Sequence, residues 1–223
     1  MPVRLFRPIL AGARPFDRIV ACIGATVCLA LTVLICAQFP LAASDLPLIV
    51  APMGASAVLI FAVPASPLAQ PWPVVGGNTI SALVGVAVFR HVPDPMLAAG
   101  LSVGLAILAM SACRCLHPPG GAAALTAVIG SQGIHAAGYA FAFAPVAINS
   151  IALVSLAMLF HRVSGHSYPH VPVPVDTGAP GLHLDDIDKA LAELPDSFDI
   201  SREDLDVLLS RAEAHAIARR RKR

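Results

Sequence analysis

The chain has 223 residues, of which 57% are hydrophobic and 13% charged, with a mean hydropathy of +0.75. Soluble domains carry about 25% charge, so a soluble globular class is excluded. The net charge of +1 hides an asymmetry, because between Ile19 and His161 only Asp45, Arg90, Asp94 and Arg114 are charged.

That distribution predicts an all-α, polytopic helical membrane bundle with polar ends. Residues 1–18 carry Arg4, Arg7, Arg14 and Arg18, which places them in the cytoplasm by the positive-inside rule. Six apolar segments follow, at 19–39, 46–63, 74–90, 95–113, 118–130 and 139–161. The first is long enough to span a bilayer and too long for the core of a signal peptide, so it is expected to remain as a helix. Cys22, Cys28 and Cys36 fall inside it and act there as small apolar residues. Cys113 and Cys115 are too close together for a zinc spacing, and neither a disulfide framework nor a metal site is expected. The first, fourth and sixth segments read as spans, whereas the second, third and fifth are short or broken by Pro and Gly. Two architectures stay open: four full spans with two short or re-entrant helices, or six spans. Six spans put Arg114 inside and Arg90 outside; re-entry exchanges them. Both architectures keep the two termini on the cytoplasmic side.

The chain contains an internal repeat. "PMGASAVL" from Pro52 aligns with "PPGGAAAL" from Pro118, 66 residues on, and "ISALVGVAVF" from Ile80 parallels "IALVSLAMLF" from Ile151. Each half then reads as helix, Pro/Gly-led short helix, helix. Paired interrupted segments of this kind point to the binding site in transporters. Gly77, Ser81 and Gly85 share one helix face, and Gly100 and Gly104 form GxxxG. Both patterns allow close helix approach, in the bundle interior or at a homodimer seam. Trp72, in the Pro-rich stretch Pro64–Asn78, suits a membrane interface.

From residue 163 the character changes. Residues 163–181 are a Pro/Gly-rich linker and 182–223 a cytoplasmic helical tail. The tail reads as two helices: Asp185–Leu194, stopped before Pro195, and a second capped by Ser201 with Asp204. Ile187, Leu191 and Leu194 form one apolar stripe, Leu205, Leu208 and Leu209 another. The basic end "RRRKR" could touch anionic lipid heads.

The candidate site follows from the break at His117-Pro118-Pro119-Gly120-Gly121. Non-helical backbone at membrane depth must be buried in protein or line a cavity. Proline suits the first turn of a helix, so a short helix is expected to start at Pro118 or Pro119. Its first free N–H groups would belong to Gly120, Gly121 and Ala122. There an anion could reach the positive end of the helix dipole, beside His117. The matching start in the first half would use Gly54, Ala55 and Ser56. Alternatively the break is a kink, with His117 capping carbonyls. Gln70, Asn78, Thr79, Ser81, Asn149 and Ser150 are the further polar residues at membrane depth; Asn149 bonds helix to helix or faces a pathway. HExxH, GxSxG, Walker and CxxC patterns do not occur. Neither an enzyme nor a cofactor is expected.

"LHPPGGAAALTAVIG" resembles the signature of the HPP family of integral membrane proteins, and "GASAVLIF", "SPLAQPWPVVGGNTISALVGVA" and "APVAINS" resemble its recurring blocks. The likeness runs from Arg18 to Arg162 and identifies 19–162 as an HPP transmembrane domain. The tail resembles the segment that joins this domain to CBS domains in some bacterial members. The resemblance implies four spans, a transporter in a bacterial inner membrane and, from plastid members, nitrite as a substrate. It brings forward Gly54, Ser56, Gln70, Asn78, His117, Pro118, Pro119, Gly120, Gly121 and Asn149. The family commonly continues Pro-Arg-Asn after Gln70, whereas this chain has Pro71-Trp72-Pro73 and lacks that arginine. The expectation is a transporter or channel for a small anion, with the lipid bilayer and the solute as partners and nucleic acid excluded. The alternative is a membrane anchor or sensor whose tail binds a protein partner.

Overall fold

The computed structural model describes residues 15–38, 46–172, 184–193 and 199–221. Arg4, Arg7, Arg14, Asp45, linker residues 173–181, Leu194, Pro195 and the last two residues lie outside them. Among the described residues the regular structure is all helical. The membrane part comprises α1 (Pro15–Cys36), α2 (Pro52–Ala62), α3 (Asn78–His91), α4 (Pro95–Ala112), α5 (Pro118–Ile129), α6 (Gln132–Ala137) and α7 (Ile148–Ser164). The tail holds α8 (Leu184–Ala192) and α9 (Arg202–Arg221).

Single π-helical stretches, Pro73–Gly77 and Ala142–Ala147, lead directly into α3 and α7. With them, four helices are long and apolar enough to cross a membrane: Phe16–Cys36, Pro73–His91, Pro95–Ala112 and Ala142–Ser164. α2 and α5, at 11 and 12 residues, rise only about 17 Å at 1.5 Å per residue, short of a hydrocarbon core about 30 Å thick. Four full spans and two short helices are therefore the architecture, as the sequence predicts. α6 and the π-helical stretches carry no signal that the apolar pattern shows.

Contacts fix the helix directions. Arg18 near the start of α1 reaches the Ala62 carbonyl at the end of α2 (3.2 Å). Asn149 bonds both Cys36 at the end of α1 (3.0 Å) and the Val50 N–H just before α2 (2.9 Å). So α2 and α7 both run opposite to α1. Gly77 faces His117, Gly85 faces Ala124, and Val88 clusters with Val128, so α3 and α5 run parallel. Ala98 near the start of α4 joins that last cluster, and Met110 near its end meets Gly77, so α4 runs opposite to both. Arg90 lies over the Tyr139 ring at 4.9 Å, while Ser150 has reached Asn78, so α7 runs opposite to α3. The direction alternates through all six segments.

The predicted small-residue stripe does its work on α3. A Cβ on Gly85 would strike the Ala124 backbone, and one on Gly77 would lie 2.6 Å from His117 Cβ. Gly100 and Gly104 have open space around them, so GxxxG faces outward. The outer surface is apolar: Ile23, Leu34, Leu97 and Leu108 are exposed, the inverse of a soluble protein and the expected state of a lipid-facing wall. In the tail, Ser201 Oγ accepts the Asp204 N–H (3.0 Å) as the sequence predicts, capping α9.

Candidate functional site

Half of the buried polar side chains among the described residues gather at one place. Ser56 on α2, Asn78 and Ser81 on α3, His117 just before α5 and Ser150 on α7 are all 0% exposed. The loop to α5 brings His117 inward because Pro118 and Pro119 start the helix at that point, where a missing N–H costs nothing. Gly77 and Gly120 leave the room: a Cβ on Gly120 would lie 2.7 Å from Ser81 Oγ and 2.9 Å from the Gly77 carbonyl.

The hydrogen bonds have a definite sense. His117 Nδ1 lies 2.8 Å from the Leu68 carbonyl. A carbonyl only accepts, so Nδ1 carries the proton, and Nε2 of the neutral ring is an acceptor. Ser56 O–H, 2.8 Å away, therefore donates to Nε2. Asn78 Nδ2 donates to Ser56 Oγ (3.2 Å) and Ser150 Oγ (3.4 Å), and Ser150 O–H donates to the Val146 carbonyl (2.9 Å). Two oxygens, Asn78 Oδ1 and Ser81 Oγ, have no protein partner. Leaving a buried polar group unpaired costs about 1–3 kcal/mol, and such exceptions call for a reason. The network is uncharged and rich in O–H and N–H donors. It can accept a small polar solute by exchanging internal bonds for bonds to that solute. All five side chains are sealed from solvent, so this is a closed conformation.

The predicted site residues divide. Ser56, Asn78 and His117 come together, with Gly120 packed beside them. Pro119 is buried, Gly121 is half-buried, and Pro118, Ala122, Gly54 and Ala55 are exposed. Two of the N–H groups expected to be free are engaged in the first turns: Gly120 N–H bonds the His117 carbonyl (2.8 Å) and Gly54 N–H bonds the Ala51 carbonyl (3.0 Å). The side chains of the network offer further donors beside these helix starts. Gln70 is used up in holding its own loop: Nε2 donates to the Pro64 and Ser66 carbonyls (2.9 and 2.8 Å), and Oε1 accepts the His170 N–H (2.9 Å). Asn149 also bonds the Leu48 carbonyl (3.0 Å), so it clamps the approach to α2. Trp72 is 55% exposed and donates to the Cys113 carbonyl (3.2 Å), as an interfacial indole would. Sequence reasoning counts Ser81 and Ser150 among the polar residues at membrane depth without assigning either to the site, and it passes over the Leu68 carbonyl, since a backbone oxygen carries no motif.

A comparison with known families decides what this bundle is. The model of the HPP transmembrane region matches residues 11–169. The chain belongs to the HPP transmembrane family. The HPP tripeptide that marks the break is thus the one whose histidine centres the buried network. Two Dictyostelium discoideum proteins, each named only as a transmembrane protein, are also similar. One is 40% identical over 112 residues, 48% of this chain and 36% of that protein. The other is 35% identical over 131 residues, 56% of this chain and 46% of that protein. The chain thus spans less than half the length of either relative. No solved structure matches it.

Proposed function

We propose that this HPP-family protein moves a small monovalent anion across a membrane, through the Ser56–Asn78–His117–Ser150 network. The observation that carries the reading is this sealed polar cluster where the two halves of the chain meet, in which the Ser81 hydroxyl has no protein partner. Bonds that only hold helices together would leave no hydroxyl unpaired, whereas a solute site needs donors that can change partner. The donors are neutral, so a solute with a single dispersed charge suits them; nitrite, which the family resemblance brought forward, is the natural probe. The closed geometry makes the protein a carrier that must open to each side. The π-helical stretches ahead of α3 and α7 are the places where backbone bonding is already irregular and such a change would start. With four full spans and Arg18 at the end where α1 begins, both termini in the cytoplasm of a bacterial inner membrane is the disposition that fits.

The test is nitrite uptake by proteoliposomes, with nitrate, formate and chloride as competitors. His117→Ala, which removes the acceptor that orients the Ser56 hydroxyl, and Ser81→Ala, which removes a hydroxyl without a protein partner, are expected to lower flux by about tenfold or more, each bond being worth about 1–2 kcal/mol in a membrane interior. Thermal unfolding in detergent checks that both variants fold. Unchanged flux in both folded variants would remove the site.

A further inference from the structure

The carbonyl that fixes His117 belongs to the loop 64–70, and the chain beyond α7 ties that loop down. Ser66 is the junction. Its hydroxyl donates to both carboxylate oxygens of Asp199 (2.8 and 2.9 Å), just ahead of α9, while its oxygen accepts the Leu68 N–H (3.1 Å). Followed outward from the core, the bonds form a relay. Asn78 Nδ2–H donates to Ser56, Ser56 O–H to His117 Nε2, His117 Nδ1–H to Leu68 O, Leu68 N–H to Ser66 Oγ, and Ser66 O–H to Asp199. The bonds fall into two runs, one ending on the Leu68 carbonyl and one starting from the Leu68 N–H; they use neighbouring peptide groups and are joined by the Leu68 backbone, and the last bond, to Asp199, is charge-assisted.

Further bonds brace the same loop. Tyr168, buried against it, donates its hydroxyl to the Ala69 carbonyl (2.8 Å). Burial raises the Tyr168 pKa above that of an ordinary phenol, so it stays a donor at neutral pH. The His170 N–H reaches Gln70 Oε1 (2.9 Å), and the His170 ring meets the Asp204 carboxylate on α9 at 2.8 Å. Beside these bonds the packing is open. An apolar cavity of about 870 Å³ separates Val63–Ser66 from Leu191, Ile200, Leu205 and Leu208. A few polar bonds, not a filled apolar seam, hold the tail on the loop, which is what a releasable contact requires.

We propose that the C-terminal segment is a strap: through Asp199, Ser66 and Leu68, braced by Tyr168, it holds His117 in the closed network, and its release frees His117. Only the flux readout of this proposal rests on the transport reading. A partner that takes up the apolar faces of α8 and α9 would draw Asp199 off Ser66 and thereby open the network.

The experiment uses the full chain in lipid nanodiscs, with Cys115 as reporter and the other four cysteines replaced. Cys115 is 0% exposed and its carbonyl packs on Gly77 beside His117. In Tyr168→Phe/Asp199→Ala the maleimide labelling rate of Cys115 is expected to rise about tenfold or more, as loss of two bracing bonds implies. Nitrogen NMR of the His117 ring is expected to lose its single Nδ1–H state. Ser66→Ala, which cuts the relay without touching the tail, is expected to do the same. An unchanged labelling rate and an unchanged His117 spectrum in both variants would overturn the strap. Should the double variant fail to fold, the His117 spectrum of Asp199→Asn decides in the same way. Absence of nitrite flux in every form would count against the transport reading and leave the strap standing on its own readouts.

Discussion

The two halves of the bundle place an asparagine at corresponding points: Asn78 opens α3 and Asn149 is the second residue of α7, each directly after a π-helical stretch. They are 71 residues apart, the offset that relates Ile80 to Ile151. Their bonding differs. Asn149 spends its whole amide on the approach to α2: Oδ1 on Val50 N–H, Nδ2 on the Leu48 carbonyl and the Cys36 sulfur. Asn78 gives its two N–H groups to serine hydroxyls and leaves Oδ1 without a partner. At corresponding places in the repeat, the same residue is saturated in one half, mostly by backbone, and left with a spare acceptor in the other. Saturation by backbone builds the fold. Spare valence among rotatable hydroxyls leaves something for a solute.

Substitution by leucine separates the two roles. Asn149→Leu strands the Val50 N–H and the Leu48 carbonyl in the interior. Each unpaired group costs about 1–3 kcal/mol, so a loss of roughly 3 kcal/mol is expected, seen as a large fall in thermal midpoint in detergent. The short helices supply a second pair, Gly54 on α2 and Gly120 on α5. Gly120→Ala puts a methyl 2.7 Å from Ser81 Oγ, 2.8 Å from Met110 Sδ and 2.9 Å from the Gly77 carbonyl. Methionine can yield but the carbonyl cannot, so overpacking of about 1–3 kcal/mol is expected, with disturbed flux. A wild-type midpoint for either variant would mean that the halves do not differ in this way. Asn78→Leu comes next. Ser56 keeps His117 and Ser150 keeps Val146 as acceptors, and an unpaired oxygen disappears, so the stability change is expected to stay within about 1 kcal/mol while flux falls.

Much of this was legible in the sequence, because lipid imposes strong rules. The segments at 95–113 and 118–130 predict α4 and α5 within a residue at each end, since proline fixes both helix starts. The Gly77–Ser81–Gly85 face is legible because only small residues allow α3 and α5 to approach so closely. The choice of donors was not. A helix start led by glycines suggests bare N–H groups, yet whether those groups are free depends on the turn that precedes the helix. Turns here engage Gly54 and Gly120 locally. The partnership of Ser56 with His117 spans 61 residues and is set by how α2 and α5 cross, which no local pattern encodes. Helix direction was equally hidden: no local pattern gives it, whereas the contact of Arg18 with Ala62 fixes the direction of α2 against α1.

The smallest expected effect is the most discriminating. A Cβ on Gly54 would meet nothing within 4 Å, and the residue is exposed on a helix. Alanine there is expected to leave stability unchanged or raise it by up to about 1 kcal/mol, the helix-propensity difference between the two residues. Its effect on flux then tests the symmetry of the mechanism. If a solute is held by both short-helix starts, a methyl at Gly54 obstructs it and flux falls although the fold is intact. If the side-chain network centred on His117 is the site, Gly54→Ala transports as the wild type does. The second outcome is expected, because His117 has no counterpart at Ala51, the position 66 residues earlier, and Gly54 N–H is already bonded to the Ala51 carbonyl. A folded Gly54→Ala with impaired nitrite uptake would restore the symmetric site and displace the network as the sole point of solute contact.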